Sequence, residues 1–379
     1  MIARRLLYIT SLAIAVAAGS SATLGDGDGD QDFPVIPHLP SSPTLSVSTV
    51  PANGDENPYG VAFVPPEFPS GGLLLPGDIL VSNFNNNQNS QGTGTTIVNI
   101  SPTGQTTVFF QSNADTMGLS TALGVLQKGY VIVGNVPSTN RKNPGVCTPG
   151  PEGQEEGVGK GSLTILNRFG KVVQVLRSEK FLDGPWDLTI RDQGDQASVF
   201  VSNALSATVT RLDLEIQSSG DLAVVNKTQI ASGYTHRCDP NAFVVGPTGL
   251  ALNPQSDTLY VASTGDNEIF AIPNASSRES DAGEGSVFIN DPTHFHGPLG
   301  LTLAPNGDLL SAQGDAVNPD PNQPSEIVEY SLQKQFLAEF SIDPASGSAF
   351  GLAIVPLGDG FRFAAVDDGT NMLDVWDVR

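Results

Sequence analysis

A motif that recurs six times along the chain constrains its fold more than any other feature. Each copy has a turn, a short apolar strand around a central residue, a second strand rich in valine, a polar loop and one or two further strands. Short β-branched runs between turn residues, with almost no helical periodicity, predict an all-β fold. Four strands per copy, repeated six times, predict a six-bladed β-propeller with four-stranded blades. The central positions are Gly60, Gly124, Asp187, Gly249, Gly300 and Gly351.

The sixth copy is one strand short, because the chain stops after the third strand, LDVWDV (373–378). The segment TLSVSTV (44–50) has strand character and precedes the first copy without a partner of its own. We predict that it is the outer strand of blade six, since this pairing closes the ring and removes an exposed edge. The propeller is therefore expected to span residues 44–379.

The N-terminus has the pattern of a secretory signal peptide over residues 1–22. Arg4 and Arg5 precede an apolar stretch (6–18) that ends in small residues, the arrangement recognised by signal peptidase. Residues 23–43 are rich in Asp and Gly, then in Pro and Ser, which predicts a flexible tether. No later segment reaches the roughly 18 apolar residues of a membrane span. We expect a secreted or periplasmic, soluble and monomeric mature chain.

The charge balance and the two cysteines narrow the partners and the compartment. A formal net charge of −22 disfavours nucleic acid and anionic membranes as partners. Cys147 lies in a long loop of the second copy and Cys238 precedes the fourth copy. In an oxidising compartment two such cysteines predict one disulfide. It would pin the long loop over one face of the propeller.

One face of the predicted propeller carries the long loops. The first two strands of a blade are antiparallel neighbours, so the loop into the first and the loop out of the second meet on one face. We call this the long-loop face, and long irregular loops on a rigid scaffold commonly carry function. Its loops include residues 51–58, 83–94, 135–159, 233–243, 290–298 and 313–325. The opposite face has mostly short turns.

Polar side chains of two kinds gather on the long-loop face. Asn83, Asn135 and Asn203 end three successive second strands, and Asp367 ends the sixth; their oxygens suit a hard cation or sugar hydroxyls, while asparagine also starts turns. The three histidines of the propeller are His236, His294 and His296. They could bind a transition metal such as zinc, act as acid and base, or only form hydrogen bonds.

Aromatic residues precede the central position in three copies, at Tyr59, Trp186 and Phe350. On the long-loop face they would ring the mouth of the axis, where aromatic side chains bind sugars and other amphipathic ligands. Packing between the blades is the other interpretation of the same three residues.

The fourth copy, GPTGLALNPQSDTLYVASTGDNEIFAI (246–272), resembles an NHL repeat. The resemblance implies a propeller, a fold that hosts lactonases, lyases, glutaminyl cyclases and binding modules. The pattern is also similar to the gluconolactonase (SMP-30-like) enzymes, which implies a divalent metal on the axis with Glu56 of the Glu56-Asn57-Pro58 segment as one ligand. At two further positions where that family has Asn and Asp, this chain has Thr248 and Ser263.

Two functions follow as hypotheses. The first is a binding module whose long-loop face holds a small molecule, a glycan or a protein through Tyr59, Trp186, Phe350 and the asparagines. The alternative is a metal-dependent hydrolase, lactonase or lyase. It would hold calcium or zinc with Glu56, Asn135, Asn203 and Asp367, and use a histidine as acid or base.

Overall fold

The described residues form six antiparallel sheets of four strands each, and every sheet is one blade of a propeller. The computed structural model describes residues 33–150, 155–178, 180–217 and 221–379. The predicted signal peptide and the first part of the predicted tether lie outside these residues. Almost all regular structure is β, which confirms the predicted fold class. No helix in the described ranges is long and apolar enough to cross a bilayer.

The blades follow one another in chain order. Blade one has β2 (Glu56–Phe63), β3 (Ile79–Asn85), β4 (Thr96–Ile100) and β5 (Thr106–Gln111), and blade two has β6 (Leu119–Leu126), β7 (Tyr130–Asn135), β8 (Ser162–Asn167) and β9 (Val172–Leu176). Blade three has β10 (Pro185–Asp192), β11 (Gln196–Asn203), β12 (Thr208–Ile216) and β13 (Leu222–Ser232), and blade four has β16 (Pro247–Asn253), β17 (Thr258–Ser263), β18 (Glu268–Pro273) and β19 (Ser286–Ile289). Blade five has β20 (Pro298–Leu303), β21 (Leu309–Gln313), β22 (Glu326–Tyr330) and β23 (Phe336–Ser341).

Blade six is completed by the N-terminal strand, as predicted. It contains β24 (Ala349–Leu357), β25 (Gly360–Asp367) and β26 (Met372–Val378), and its outer strand is β1 (Leu45–Ser48). β1 runs antiparallel to β26, with Leu45 opposite Val375 and Ser48 opposite Met372. The first and last parts of the propeller are thereby hydrogen-bonded in one sheet, which leaves no open joint in the ring.

A bulge in the innermost strand of each blade accounts for the recurring glycine. In β24 the register shifts between Ala349 and Leu352, and a Cβ on Gly351 would lie 1.9 Å from the carbonyl oxygen of Tyr59 in blade one. A Cβ on Gly300 would likewise lie 2.1 Å from the oxygen of Phe350. The inner strands therefore approach backbone to backbone around the axis, and glycine makes that approach possible.

The predicted central position of the second copy, Gly124, is wrong by two residues. In blade two the register shifts between Leu119 and Leu123, so three residues lie in the bulge. In the other inner strands only two residues lie there, as between Pro185 and Leu188. The bulge of blade two therefore holds one extra residue. Its central residue is Ala122, which is fully buried.

Hydroxyl groups join neighbouring blades near the axis. Ser82 Oγ in blade one donates to the carbonyl oxygen of Ser120 in blade two at 2.9 Å. Ser202 Oγ in blade three donates to the carbonyl oxygen of Thr248 at 2.6 Å, and Thr248 Oγ1 donates to that of Pro298 at 3.1 Å. The bulged carbonyls are thus satisfied by the next blade rather than by water.

The segment preceding β1 packs against the propeller. A short 3-10 helix spans Ile36–His38, and Val35 and Ile36 are buried. Their backbone N–H groups donate to the two carboxylate oxygens of Glu329 in blade five, at 2.6 and 2.8 Å. Residues 33–39 of the predicted tether are therefore tied to the body, since the apolar Val-Ile pair finds a buried site there.

Two strand assignments differ from the sequence pattern. The outer strand of blade three, β13, has 11 residues, although polar Asn226 and Lys227 interrupt the β-branched pattern within it. Residues 233–243, predicted as a loop, contribute to a two-stranded hairpin of β14 (Arg237–Asp239) and β15 (Phe243–Val245). The hairpin lies between blades three and four in the chain and carries Cys238 at its centre.

Candidate active site

The disulfide fixes the hairpin to the long loop of blade two on the long-loop face. Cys147 and Cys238 are bonded, as predicted, with their Cα atoms 5.3 Å apart. Both cysteines belong to a buried apolar cluster that includes Phe243 and Val244 of the hairpin. Gln91 Nε2 in the blade-one loop also donates to the carbonyl oxygen of Asn241 at 2.6 Å. Three separate loops therefore form one cover over part of the axis.

Under this cover the three predicted aromatic residues come together. Tyr59 stacks on Phe350 with ring centroids 4.3 Å apart, and its ring meets the edge of Trp186 at 6.0 Å. Phe84 joins them, 4.6 Å from Tyr59, and Phe243 of the hairpin lies 6.1 Å from Phe84. The aromatic residues therefore pack between blades, and a ligand-binding role for them stays a prediction.

These aromatic side chains form one wall of a pocket at the axis, with a volume of about 330 Å³. We call it the axial pocket. Its apolar wall consists of Tyr59, Trp186, Val244, Val245, Leu299 and Phe350. Its polar lining includes Asn57, Gln91, Asn241, Thr264, Asp315, Ser346 and Asp368. A mostly apolar concavity with a few converging polar groups is the usual form of a small-molecule site.

Two acidic residues, Asp315 and Asp368, give the axial pocket a negative character. Asp368 follows β25 and is partly buried. Burial, reinforced by the negative charges of Asp367 and Glu56, raises the pKa of Asp368 to about 7. Burial of Tyr59 is the main cause of its raised pKa, and the negative charge of Asp368 raises that pKa further. Asp368 can therefore exchange a proton near neutral pH, which an ordinary aspartate cannot.

Several polar atoms at the pocket are buried and lack a hydrogen-bond partner within the described residues. They are Asn57 Oδ1, Gln91 Oε1, Trp186 Nε1 and Asp315 Oδ1. Buried polar atoms are nearly always paired, so orphaned atoms in a pocket wall mark positions where a ligand can supply the missing partner. Trp186 offers a donor, and Asn57 and Asp315 offer acceptors.

The three predicted histidines have different neighbours. His294 stacks on Phe336 with centroids 3.7 Å apart and lies 2.8 Å from Glu339 through Nδ1. His236 is half-buried just before the hairpin. His296 alone is fully buried, and it lies beside Asp315 and Glu326 with ligand atoms of all three within 4.8 Å of one another. The i, i+2 spacing of His294 and His296 sends the two rings to different surroundings.

The predicted asparagines have structural partners. Asn135 Nδ2 donates to the carbonyl oxygen and the hydroxyl of Ser162, both at 2.9 Å. Asn203 Oδ1 accepts from the backbone N–H of Asp183 at 3.1 Å, and Asn83 Nδ2 donates to the carbonyl oxygen of Thr49 at 3.0 Å. These bonds fit the turn-forming interpretation, and a ligand role for the three residues stays a prediction.

The axial metal that the resemblance implies finds a poor fit among its expected ligands. Thr248 donates its hydroxyl to a backbone carbonyl, and Ser263 Oγ donates to Asp266 at 2.6 Å. Asp367 accepts from the N–H and the hydroxyl of Thr370. Glu56 begins β2 and lies close enough to Asp368 to influence its pKa. We therefore derive no step through such a metal.

The sequence pattern missed Asp315, Glu326 and Asp368. Asp315 lies within the long polar loop 313–325 of blade five and Glu326 directly follows it, but no motif distinguishes them from other acidic residues. Asp368 follows Asp367, and burial raises the pKa of both; hydrogen bonds from Thr370 counteract this rise at Asp367 only. Adjacent antiparallel strands bring their neighbouring ends to one face of the propeller. Aligning the strand ends in register is therefore the signal that could have found these acidic residues.

Comparison with known proteins places the fold. No protein-family model and no curated protein matches the sequence. Among solved structures, a gluconolactonase from Xanthomonas campestris is similar with a TM-score of 0.52 and 15% identity, over 90% of this chain and 97% of that chain. The chain has the fold of the gluconolactonase-like six-bladed propellers.

Two further solved structures are similar to the chain. A luciferin-regenerating enzyme is similar with a TM-score of 0.51 and 11% identity, over 88% of this chain and 94% of that chain. A calcium-binding regucalcin from Agrobacterium tumefaciens has a TM-score of 0.48 and 13% identity, over 88% and 94% of the two chains. At such identities the likeness to gluconolactonase-like propellers concerns the fold, and function must be argued from the site.

Proposed function

We propose that the protein is a hydrolase that opens small lactones or cleaves small esters in the axial pocket. The observation that carries the proposal is Asp368, a carboxylate in the wall of a concave, aromatic-lined pocket with a pKa of about 7. A general base works best when its pKa lies near the working pH. The fold is compatible, since a solved relative in fold is described as a gluconolactonase.

The chemistry assigned to the chain's own residues is simple. Asp368 takes a proton from a water molecule as the water oxygen attacks the carbonyl carbon of the substrate. Trp186 Nε1, a buried donor without a partner, donates a hydrogen bond to the carbonyl oxygen as negative charge develops there. When the carbon–oxygen bond of the ester breaks, the departing alkoxide recovers the proton from Asp368. Tyr59 and Phe350 pack against the apolar part of the substrate.

The pocket also limits the substrate class. Its volume of about 330 Å³ lies at the lower end of small-molecule sites. Its acidic residues, Asp315 and Asp368, repel anionic substrates. We therefore expect a neutral or cationic lactone or ester with an apolar or aromatic portion, rather than a sugar acid or a phosphorylated compound.

The test is hydrolysis of a panel of neutral lactones and p-nitrophenyl esters by the purified protein. We expect kcat/KM to rise with pH to a plateau with an apparent pKa near 7, because the base must lose its proton. Asp368→Asn should lower kcat by roughly 10²- to 10⁴-fold. Asp359→Asn, an exposed aspartate in the turn between β24 and β25, is the matched control and should leave kcat unchanged.

The binding-module hypothesis uses the same pocket and is favoured by its aromatic wall. Binding of the lactam analogues of the panel, measured by calorimetry, separates the two. Binding of lactams with no turnover of any lactone or ester would leave a binding module. Turnover that persists in Asp368→Asn would refute the assigned mechanism while retaining an enzyme.

We also propose that the mature chain is exported. The disulfide between Cys147 and Cys238 supports this, because such bonds persist in oxidising compartments. Residues 1–22 stay a predicted signal peptide. N-terminal sequencing of the protein recovered from its native compartment should begin near residue 23, and an intact residue 1 would contradict the proposal.

A further inference from the structure

Three strand ends of blade five bring a histidine and two carboxylates together beside the axial pocket. His296 lies just before β20, Asp315 just after β21, and Glu326 is the first residue of β22. Because these strands are antiparallel neighbours, these three ends meet on the long-loop face. One ligand atom of each residue lies within 4.8 Å of those of the other two, the only such group of three or more His, Cys, Asp and Glu within the described ranges.

His296 and Glu326 are buried and Asp315 is half-buried, and each of the three has a buried polar atom that is not satisfied. His296 and Glu326 side chains are only 3% and 2% exposed. His296 Nδ1, Asp315 Oδ1 and Glu326 Oε2 are each buried without a hydrogen-bond partner. His296 Nδ1 and Glu326 Oε1 are 3.8 Å apart, which is too far for a hydrogen bond. Leaving a buried polar atom unpaired is unfavourable, so three unpaired atoms that converge on one point require an explanation.

The remaining polar atoms hold this trio in position. Asp315 Oδ2 accepts from the backbone N–H groups of Ser325 and Gly347, at 2.9 and 2.8 Å, which leaves Oδ1 free. His296 Nε2 lies 3.3 Å from the carbonyl oxygen of Thr293. A proton on Nε2 satisfies that carbonyl and leaves a lone pair on Nδ1. A backbone carbonyl that fixes the tautomer in this way is typical of metal-ligating histidines.

We propose that His296, Asp315 and Glu326 bind one divalent transition-metal cation of the zinc or manganese class. One imidazole nitrogen with two carboxylate oxygens suits such an ion. Calcium takes six to eight oxygen ligands and fits this set less well. The cation would balance the two buried carboxylate charges and supply the missing partner of all three orphaned atoms. The site differs from the axial set built on Glu56, and it does not depend on the proposed hydrolysis.

The position of the site gives the cation a place in the molecule. Asp315 is shared between the site and the wall of the axial pocket. Its backbone partners, Ser325 and Gly347, lie in the loop before β22 and the loop before β24. A cation on Asp315 therefore ties the blade-five loop to blade six at the edge of the pocket. Removing the cation should loosen the attachment of the blade-five loop to blade six at the edge of the pocket.

The test measures metal directly on the full mature chain without an affinity tag. Chelator-treated protein is titrated with zinc and with manganese by calorimetry, and metal content is measured by mass spectrometry after dialysis. We expect one zinc or manganese per chain and a higher melting temperature on loading. Glu326→Gln, which keeps the size of the side chain, should weaken binding at least 10-fold. Glu339→Gln removes the neighbouring carboxylate that contacts His294 and should bind as the wild type does.

Any of three results would overturn the proposal. One is wild-type protein that binds neither ion with a Kd below about 1 mM. Another is equal binding by wild type and Glu326→Gln. X-ray absorption is measured on the metal-loaded wild type, so it does not depend on whether a variant folds. It should show imidazole in the coordination sphere of the metal. A sphere with oxygen ligands only would place the ion elsewhere and refute the site.

Discussion

Replacing Gly351 with alanine tests whether the inner strands close the ring by direct backbone contact. The added Cβ would lie 1.9 Å from the carbonyl oxygen and 3.1 Å from the carbonyl carbon of Tyr59. An optimal non-bonded contact is about 3.5 Å, so β2 and β24 would have to separate by roughly 1.5 Å. Neither strand can withdraw easily, because each is also packed against another blade and its own second strand.

The size of the effect follows from this geometry. Forcing an extra carbon into a packed site typically costs about 1–3 kcal/mol, and a contact with backbone rather than with a flexible side chain argues for the upper end. The entropy of unfolding is about 2.1 cal/mol/K per residue. Over the chain from Phe33 to Arg379, this amounts to roughly 0.7 kcal/mol/K. A loss of about 3 kcal/mol should therefore lower Tm by about 4 °C.

Differential scanning calorimetry measures this shift, with Gly314→Ala as the control. A Cβ on Gly314 would meet its nearest neighbour, Leu299 Cδ2, at an ordinary 3.5 Å, so Tm should change by less than about 1 °C. If Gly351→Ala melts with the wild type, the blades are not in backbone contact at the axis. The glycine would then need another explanation.

Two further predictions concern the disulfide and a buried carboxyl. The disulfide closes a segment with a sequence separation of 91, so replacing Cys147 and Cys238 by alanine should lower the free energy of unfolding by up to about 4.5 kcal/mol. Denaturant titration of the variant, the oxidised wild type and the reduced wild type measures this loss. Equal stability of all three proteins would contradict the prediction. Asp187 accepts hydrogen bonds from the N–H groups of Leu188 and Leu250, yet burial raises its pKa from 3.8 to about 8. The folded chain then holds a proton that the unfolded chain has already lost, so this contribution to stability is full below about pH 4 and is lost as pH rises towards 8. Urea unfolding across this range should show a shallower decline for Asp187→Asn than for wild type, and identical slopes would show that Asp187 ionises normally.

The repeat predicts the fold well because its strands are short, regular and bounded by turns. The closing role of residues 44–50 was also predictable, since the sixth copy lacked a strand. The hairpin around Cys238 was not, because three-residue strands broken by Asp239 and Pro240 carry no periodic pattern. It is stabilised by the disulfide and by Phe243 in the apolar cluster, which are long-range contacts that a local pattern does not contain.

The site was predictable in location but only partly in its residues. The long-loop face and the aromatic residues Tyr59, Trp186 and Phe350 follow from topology and alignment. The pKa of Asp368 depends on burial and on the charges of Asp367 and Glu56, which the sequence alone does not show, so its neighbour Asp367 looks equivalent in the sequence. His296 differs from His294 for the same reason, since the first is enclosed by blade five and the second lies against the outer strand β23.

One position of the repeat, the residue before the bulge centre, differs in residue type between the blades. The residue before each bulge centre is aromatic at Tyr59, Trp186 and Phe350 but is Thr121, Thr248 and Leu299 in the other blades. Thr121 and Thr248 donate to neighbouring backbone carbonyls, so they complete the ring. The aromatic residues form part of the wall of the axial pocket. The same position thus completes the ring in some blades and lines the pocket in others, which is how six similar blades can produce one asymmetric pocket on their shared axis.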